Sequence, residues 1–316
     1  LAVRLRSQLV NVLSENLISL KSFIPVEINR KPRSLSELMR WKATEFRTFL
    51  LYLGPLVLLN VVDQAVYEHF LLLHVAVVLV MSEHHIAMFG SQLSSQLFNL
   101  FVTHSEHIYG NEFYVYNVHY LTHLHDDVEI FGVLDNFSAF PFENYLAQIK
   151  RLVKSPDNPL PQISRRLLEM SHSCDPCLGN LRNDETNHKF EHNSGPTAQL
   201  LCKQFKQITM DGFSFSIYSY SCADSYCLTK DKMVIRIENI LLSSSRNTLI
   251  VCKEFKSYES FYNYPFNSNV IGIVKIKDLS LELKVITLKD ITAKCIVLPT
   301  NTKDNSWISM PLIHTL

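Results

Sequence analysis

The most constraining feature of this sequence is a change of hydrophobic period on either side of "SHSCDPCLGNLRNDETNHKFEHNSGP", residues 171 to 196. Before it, apolar residues recur at the spacing of helices that bury one face; after it, the period shifts toward two. The stretch itself is polar and almost without apolar periodicity, as a linker or surface excursion is. The pattern predicts an α+β chain: a mostly helical half over residues 1–170, a linker over 171–197, and a small antiparallel β-barrel-like domain over 198–316. A length of 316 residues is enough for two ordinary domains.

The helical half can be read in some detail. Leu1 is not an initiator Met, and "LAVRLRSQLVNVLSENLISL" reads as an amphipathic helix already under way, which predicts a piece of a longer chain. After Pro32, Ser34 and Glu37 have capping-box spacing. A helix is therefore expected to run through Leu38, Trp41, Phe46, Phe49 and Leu53 until Gly54-Pro55 breaks or kinks it. A long apolar helix over 57–81, another over 91–108, a His-rich segment at 117–125, a helix after Pro141 and the turns of "PLPQISRRLLEM" complete the half. The runs "FLLYLGPLVLLNVV" and "FLLLHVAVVLVM" fall short of the ~18 to 20 uninterrupted apolar residues of a membrane span. Asp63, Glu68 and His69 separate them, so two buried helices and no membrane partner are expected.

Beyond the polar stretch, "FSFSIYSYS", "KMVIRIENILL", "TLIVCKEF", "NVIGIVKIKD", "LELKVITLKDI" and "AKCIVLP" are six strand candidates. Thirty basic residues balance thirty acidic ones, so no global field steers the chain toward nucleic acid or anionic membrane. All seven cysteines follow position 170, an odd number that suits reduced thiols inside the cell better than a disulfide framework.

Three groups of residues have the chemistry for a site. In "DNFSAFPFENYLAQIKRLVKS", residues 135 to 155, Pro141 suits a first helical position, and Phe142, Leu146, Ile149 and Val153 form an apolar stripe expected to be buried. Glu143 lies off that stripe in the first turn, where the helix dipole alone favours an acid, so it is either a helix-start acid or a metal ligand. The segment "NVHYLTHLHDD" offers His119 and His123 four apart, with Asp126 and Asp127. Such a set chelates a cation or forms a solvated turn, and the Glu of a metalloprotease motif is absent because Tyr120 follows His119. Cys174, Cys177, His188 and His192 give C-x2-C-x10-H-x3-H, close to a zinc finger but two residues short between the pairs. A Zn2+ site and a polar linker with two nearby cysteines both fit that pattern. The cations of "NRKPR" read as a phosphate contact or a solvated loop.

Taken together and in order, "IPVEINRKPRSLSELMRWKATEFRTFLLYLGPLVL", "YNVHYLTHLHDDVEIFGVLDNFSAFPFENYLAQIKRLVKS" and "PLPQISRRLLE" resemble the C-terminal portion of CACTA-type DNA transposases of the animal, transposon-derived kind. The later phrases "ADSYCLTKDKMVIRIENI" and "DITAKCIVLP" resemble the small domain that follows in such chains. The resemblance implies a DDE-type enzyme with a ribonuclease-H-like core. Three carboxylates there hold two Mg2+ or Mn2+ ions, which activate water or a DNA 3′ hydroxyl. It implies further that Glu143 is the third carboxylate and that the helices over 35–108 are an insertion. Transposon-end DNA is the implied partner, with a possible homo-oligomer, and the nucleus the implied location. The first two catalytic Asp residues and a D-x-x-H motif belong upstream, and none precedes Arg33. The expectation is a fragment or decayed copy that cleaves no DNA as given, or a non-catalytic DNA- or protein-binding module derived from such an enzyme.

Overall fold

A computed structural model describes residues 5–173, 186–197, 202–300 and 305–313. It is α+β, with helices in the first half and a ten-stranded antiparallel sheet in the second. Helix α1, Ser7–Ser19, buries Leu13 and Leu17. The single helix expected from Ser34 to Leu53 is instead three pieces, a 3-10 turn Leu35–Arg40, α2 Ala43–Thr48 and a π turn Phe49–Leu53, the last running on into α3 Gly54–Val57. Two local competitions break it. Ser34 Oγ accepts the Ser36 N–H at 3.1 Å, while Glu37 turns to Arg33 at 3.0 Å instead of closing the capping box. Glu45 Oε2 then accepts the Lys42 N–H at 2.9 Å and starts a new helix. Gly54-Pro55 does not end the run, because the π turn ahead of it absorbs the donor that Pro55 lacks.

The long helix expected over 57–81 stops at Val57 and resumes as α4, Gln64–Val80, which is apolar on nearly every side and buries Leu71, Leu72, Val75, Ala76, Val78 and Leu79. Helix α5, Glu83–Tyr109, begins earlier than its apolar pattern suggested, because Ser82 caps it, and kinks at Gly90 (φ 71°). Among the described residues no helix is long and apolar enough to cross a membrane. Two histidines of α4 are drawn into the core by backbone carbonyls: His69 Nε2 lies 2.7 Å from Phe101 O, and His74 Nδ1 lies 2.8 Å from Leu50 O. The half closes with α6 Tyr116–Tyr120, α7 Leu124–Phe131, α8 Phe140–Leu152 and α9 Pro159–Ser173.

The strands are β1 Asn187–His192, β2 Lys203–Met210, β3 Phe213–Ser216, β4 Tyr226–Thr229, β5 Val234–Leu242, β6 Thr248–Ser260, β7 Val274–Leu279, β8 Lys284–Thr287, β9 Ile291–Pro299 and β10 Trp307–Pro311. All their pairings are antiparallel. Hydrogen-bonded neighbours run β5–β4–β9–β10–β7–β6, and β6 pairs back to β5, so six strands form a circuit. The others append to it: β1 lies beyond β2 at one end of the pairing order, β3 pairs β2, and β8 pairs β6. Several of the expected strands are shorter than their alternation, "LELKVITLKDI" keeping only β8 before a 3-10 turn at Leu288–Asp290. "FSFSIYSYS" leaves the sheet after Ser216 because the next amides bond elsewhere, Ile217 N–H to Lys206 O and Tyr218 N–H to Ile237 O. "NVIGIVKIKD" begins as a 3-10 turn, Ser268–Ile271, and becomes strand only after Gly272 at φ 79°.

The largest cluster of buried apolar side chains draws on both halves. Leu17, Val75, Leu79 and Phe98 belong to it, and so do Tyr262, Ile271, Ile296, Leu298, Ile308 and Met310. Two smaller clusters lie wholly among the strands.

Candidate functional site

Helix α8 is tied to the rest of the chain at its start. Asp135 receives a double hydrogen bond from Arg47 Nη2, at 2.6 and 2.9 Å, and the same guanidinium lies 5.1 Å above the Phe140 ring. Both contacts precede Pro141, so the helix leaves α2 behind as it runs on. Glu143 stands exposed in its first turn, with its N–H bonded to Ala139 O at 3.0 Å. The stripe expected to be buried is open over its first half: Phe142 is 70 % and Leu146 62 % exposed, with Tyr145 beside them, while Ile149 and Val153 are half-buried. Helix α9 packs on α8, and it shows solvent its own Leu160, Leu168 and Met170. The helix is amphipathic as its pattern suggested, but its apolar side is left open at Phe142 and Leu146 among the described residues.

The His–Asp segment does come together, at the surface. His119 and His123 face each other across α6 and the following turn with ring centroids 5.3 Å apart. Tyr114 Oη takes His119 Nδ1 at 2.8 Å, and Tyr120 Oη donates to Asp127 Oδ2 at 3.1 Å. Asp126 sits between His125 Nε2, at 3.2 Å, and His123 Nδ1, at 3.9 Å. Each candidate ligand therefore has a partner of its own. Among the described residues no group of three or more His, Cys, Asp or Glu side chains is placed to hold a metal ion. The described residues thus do not fit a two-metal centre, and no chemical step is derived through one.

Cys174 and Cys177 lie outside the described residues. His188 and His192 are described, on strand β1. In a zinc finger that H-x3-H spacing works because a helix stacks the two rings; here the two histidines lie on a strand, with Phe190 between them at φ 61°. His188 Nε2 instead meets Thr248 Oγ1 at 2.9 Å, and burial pushes its pKa down. The phosphate reading of "NRKPR" meets similar competition. Arg33 is engaged by Glu45 at 2.7 and 2.8 Å, and Lys31 Nζ donates to Ile24 O at 2.6 Å and Pro25 O at 3.0 Å.

The most developed constellation involves residues that the motifs did not single out. Lys294, on β9, is wholly buried, and its ammonium donates to Glu27 Oε2 at 2.7 Å, Asp224 Oδ1 at 2.6 Å and the Ser214 carbonyl. Three donors meet three acceptors, so the group is fully satisfied. The carboxylates are held just as firmly. Glu27 Oε1 accepts the Ser214 N–H at 2.8 Å, while Asp224 accepts from Val26 N–H at 3.0 Å and Ser221 Oγ at 2.6 Å. Burial by itself would raise the Asp224 pKa; the Lys294 charge and these donors outweigh it and hold the carboxyl below its ordinary value. An ammonium with every proton donated has no lone pair for nucleophilic or base chemistry, so the arrangement clamps three segments of chain. The sequence signal was slight: one acid inside "IPVEI", flanked by apolar residues.

A family described as a domain of unknown function (DUF8592) matches residues 191–312, which is the strand-rich half from the end of β1 through β10. No curated protein and no solved structure matches the chain.

Proposed function

We propose that the chain is a fragment or decayed copy of a cut-and-paste DNA transposase of the CACTA type, without catalytic activity of its own. In this reading α8 is the last helix of a ribonuclease-H-like core, Glu143 is the third carboxylate, and the circuit of six strands is a small antiparallel barrel serving as an accessory domain. The observation that supports it best is the open face of α8, where Phe142, Tyr145 and Leu146 are exposed beside Glu143. A helix with that much apolar surface is suited to lie against a further layer of structure. In the parent enzyme that layer would bring two Asp carboxylates and Mg2+ or Mn2+, with transposon-end DNA as substrate and the nucleus as the place of action.

Glu143 stands without two acidic partners among the described residues, and a single carboxylate holds no metal pair. The purified chain is expected to leave supercoiled plasmid intact in Mg2+ or Mn2+. Metal-dependent nicking that disappears in Glu143→Ala would overturn the inactive reading. Sequencing of the transcript upstream of the Leu1 codon tests the ancestry: two Asp codons, the second opening a D-x-x-H, are expected. A start codon directly before Leu1 would favour the second reading, a non-catalytic binding module. The match to residues 191–312 alone favours that second reading to the extent that the strand-rich half recurs as a unit.

A further inference from the structure

We propose that the open edge of the strand-rich half binds single-stranded nucleic acid, its bases stacking on Phe190 and Tyr220 and its backbone meeting Lys206. The inference goes beyond the reading above, because it assigns a partner to the β half and stands whatever the helical half derives from.

Three observations converge on this edge. Phe190 is 54 % exposed and has a left-handed backbone, φ 61°, in the middle of β1. A phenylalanine in a strand seldom takes that conformation, and strain of this kind is retained where a side chain must point in a particular direction. Here it points outward, toward Tyr220, itself 49 % exposed, with ring centroids 5.4 Å apart and planes tilted 36°. The third member is cationic. Lys189 pairs with Gln207 and Glu191 with Phe205, so the register sets Phe190 opposite Lys206, whose Nζ lies 5.9 Å over the Tyr220 ring.

The platform is preorganised rather than loose. Ile217 N–H bonds Lys206 O at 2.9 Å, Tyr218 N–H bonds Ile237 O at 2.8 Å and Tyr220 N–H bonds Ile217 O at 3.0 Å, which fixes the turn bearing Tyr220. Arg236 stacks 4.1 Å over Tyr218 and is held there by Glu238 at 2.7 Å, bracing the same turn from behind. Among the described residues β1 is the last strand of the pairing order, which sets Phe190 at an edge. Charge selects the partner. The sequences of β1 and β2 hold three lysines, Lys189, Lys203 and Lys206, against one acid, Glu191, which lies 3.7 Å from Lys203. A local positive field beside exposed aromatic faces is what a single-stranded phosphate backbone with accessible bases requires. A base-paired duplex offers no free base face to such rings, and a membrane surface gives them nothing to stack on.

The test is fluorescence anisotropy of the full chain with labelled oligo-dT and oligo-rU of about 15 nucleotides. Both are scored against a labelled duplex of equal length at low salt. Single strands are expected to bind, more weakly as salt rises. Phe190→Ala and Tyr220→Ala should each weaken binding about tenfold, while Tyr220→Phe, which keeps the ring, should bind like wild type. Lys206→Gln should make the fall of log affinity with log salt shallower by about 0.7, one phosphate's worth of counterion release. Leu281→Ala, at an exposed residue elsewhere, should change nothing. A preference for either sugar supports the platform and names its source. Absence of binding, equal binding by duplex, or indifference to the two alanine substitutions would overturn it.

Discussion

Lys294 Nζ lies 2.6 Å from Asp224 Oδ1 inside the protein, and neither side chain reaches bulk water to any useful extent. Glu27 completes the set from the far side at 2.7 Å. Removing the cation strands two buried carboxylates. Lys294→Met is therefore expected to destabilise the chain by about 3 to 5 kcal/mol, the usual cost of breaking a buried ion pair. Adding Glu27→Gln and Asp224→Asn to that variant should restore much of the loss, since no charge is then left unpaired. Urea unfolding monitored by tryptophan fluorescence measures both. A loss under 1 kcal/mol for the single substitution would mean that water enters the site and solvates the carboxylates.

His74 makes acid pH a second lever. Complete burial between Leu50 O and the Tyr262 hydroxyl pushes its pKa from 6.5 down to about 4. Between those values the unfolded chain binds a proton that the folded chain refuses, so the contribution of His74 to stability falls as pH drops below 6.5 and levels off below about 4. The full shift corresponds to about 3 kcal/mol. His69 and His85, also lowered by burial, act in the same direction. His74→Gln should flatten the slope of stability against pH in that window by as much as ~1.4 kcal/mol per unit, leaving a residual slope from the other two. An unchanged slope would place the titrating group elsewhere.

Gly54 is required by space rather than by backbone angle. A β-carbon there would lie 2.3 Å from Phe70 Cζ and 2.9 Å from Phe49 O. Gly54→Ala should cost about 1 to 3 kcal/mol by overpacking, and Gly54→Ala with Phe70→Leu should recover part of it. Thermal melts of the three proteins decide the matter; equal midpoints would show that the Phe70 ring simply swings aside.

The open face of α8 and α9 predicts behaviour rather than stability. Phe142→Ser with Leu146→Ser removes surface that folding does not bury, so the unfolding free energy should stay within about 0.5 kcal/mol. Binding of a hydrophobic dye and self-association in sedimentation should both decrease. A large drop in stability would show that the face is covered by the chain itself.

How far the sequence reveals this structure depends on the distance over which each feature is specified. Local signals were legible: α1, α4 and α8 follow from their apolar spacing, Pro141 stands at the start of α8, and "KMVIRIENILL" and "TLIVCKEF" become β5 and β6. The strands that escaped, β1, β2, β4 and β10, had weak or short patterns. "YCLT" and "WISMP" are too brief to display a period, and β1 is polar apart from Phe190. Within α8 the sequence marks which side is apolar but not what lies against it, because covering a face is a property of the assembled fold. The Glu27, Asp224 and Lys294 clamp was illegible for the same reason. Nothing near Glu27 distinguishes it from a surface acid, and its partner Lys294 lies 267 positions away. The aromatic edge was half legible: "FSFSIYSYS" displays Tyr218 and Tyr220, but only the β1–β2 register brings Phe190 and Lys206 to them.

That separation of 267 positions also sets a clock. At the usual ~5 to 20 residues per second of translation, Glu27 is made roughly 13 to 53 s before Lys294. Through that interval the helical half cannot complete its clamp, and Ile296, Leu298, Ile308 and Met310, with which its largest cluster closes, have not yet been made. A newborn chain of this design therefore keeps that apolar surface uncovered until Met310 has been made, and surface of this kind is what chaperones bind.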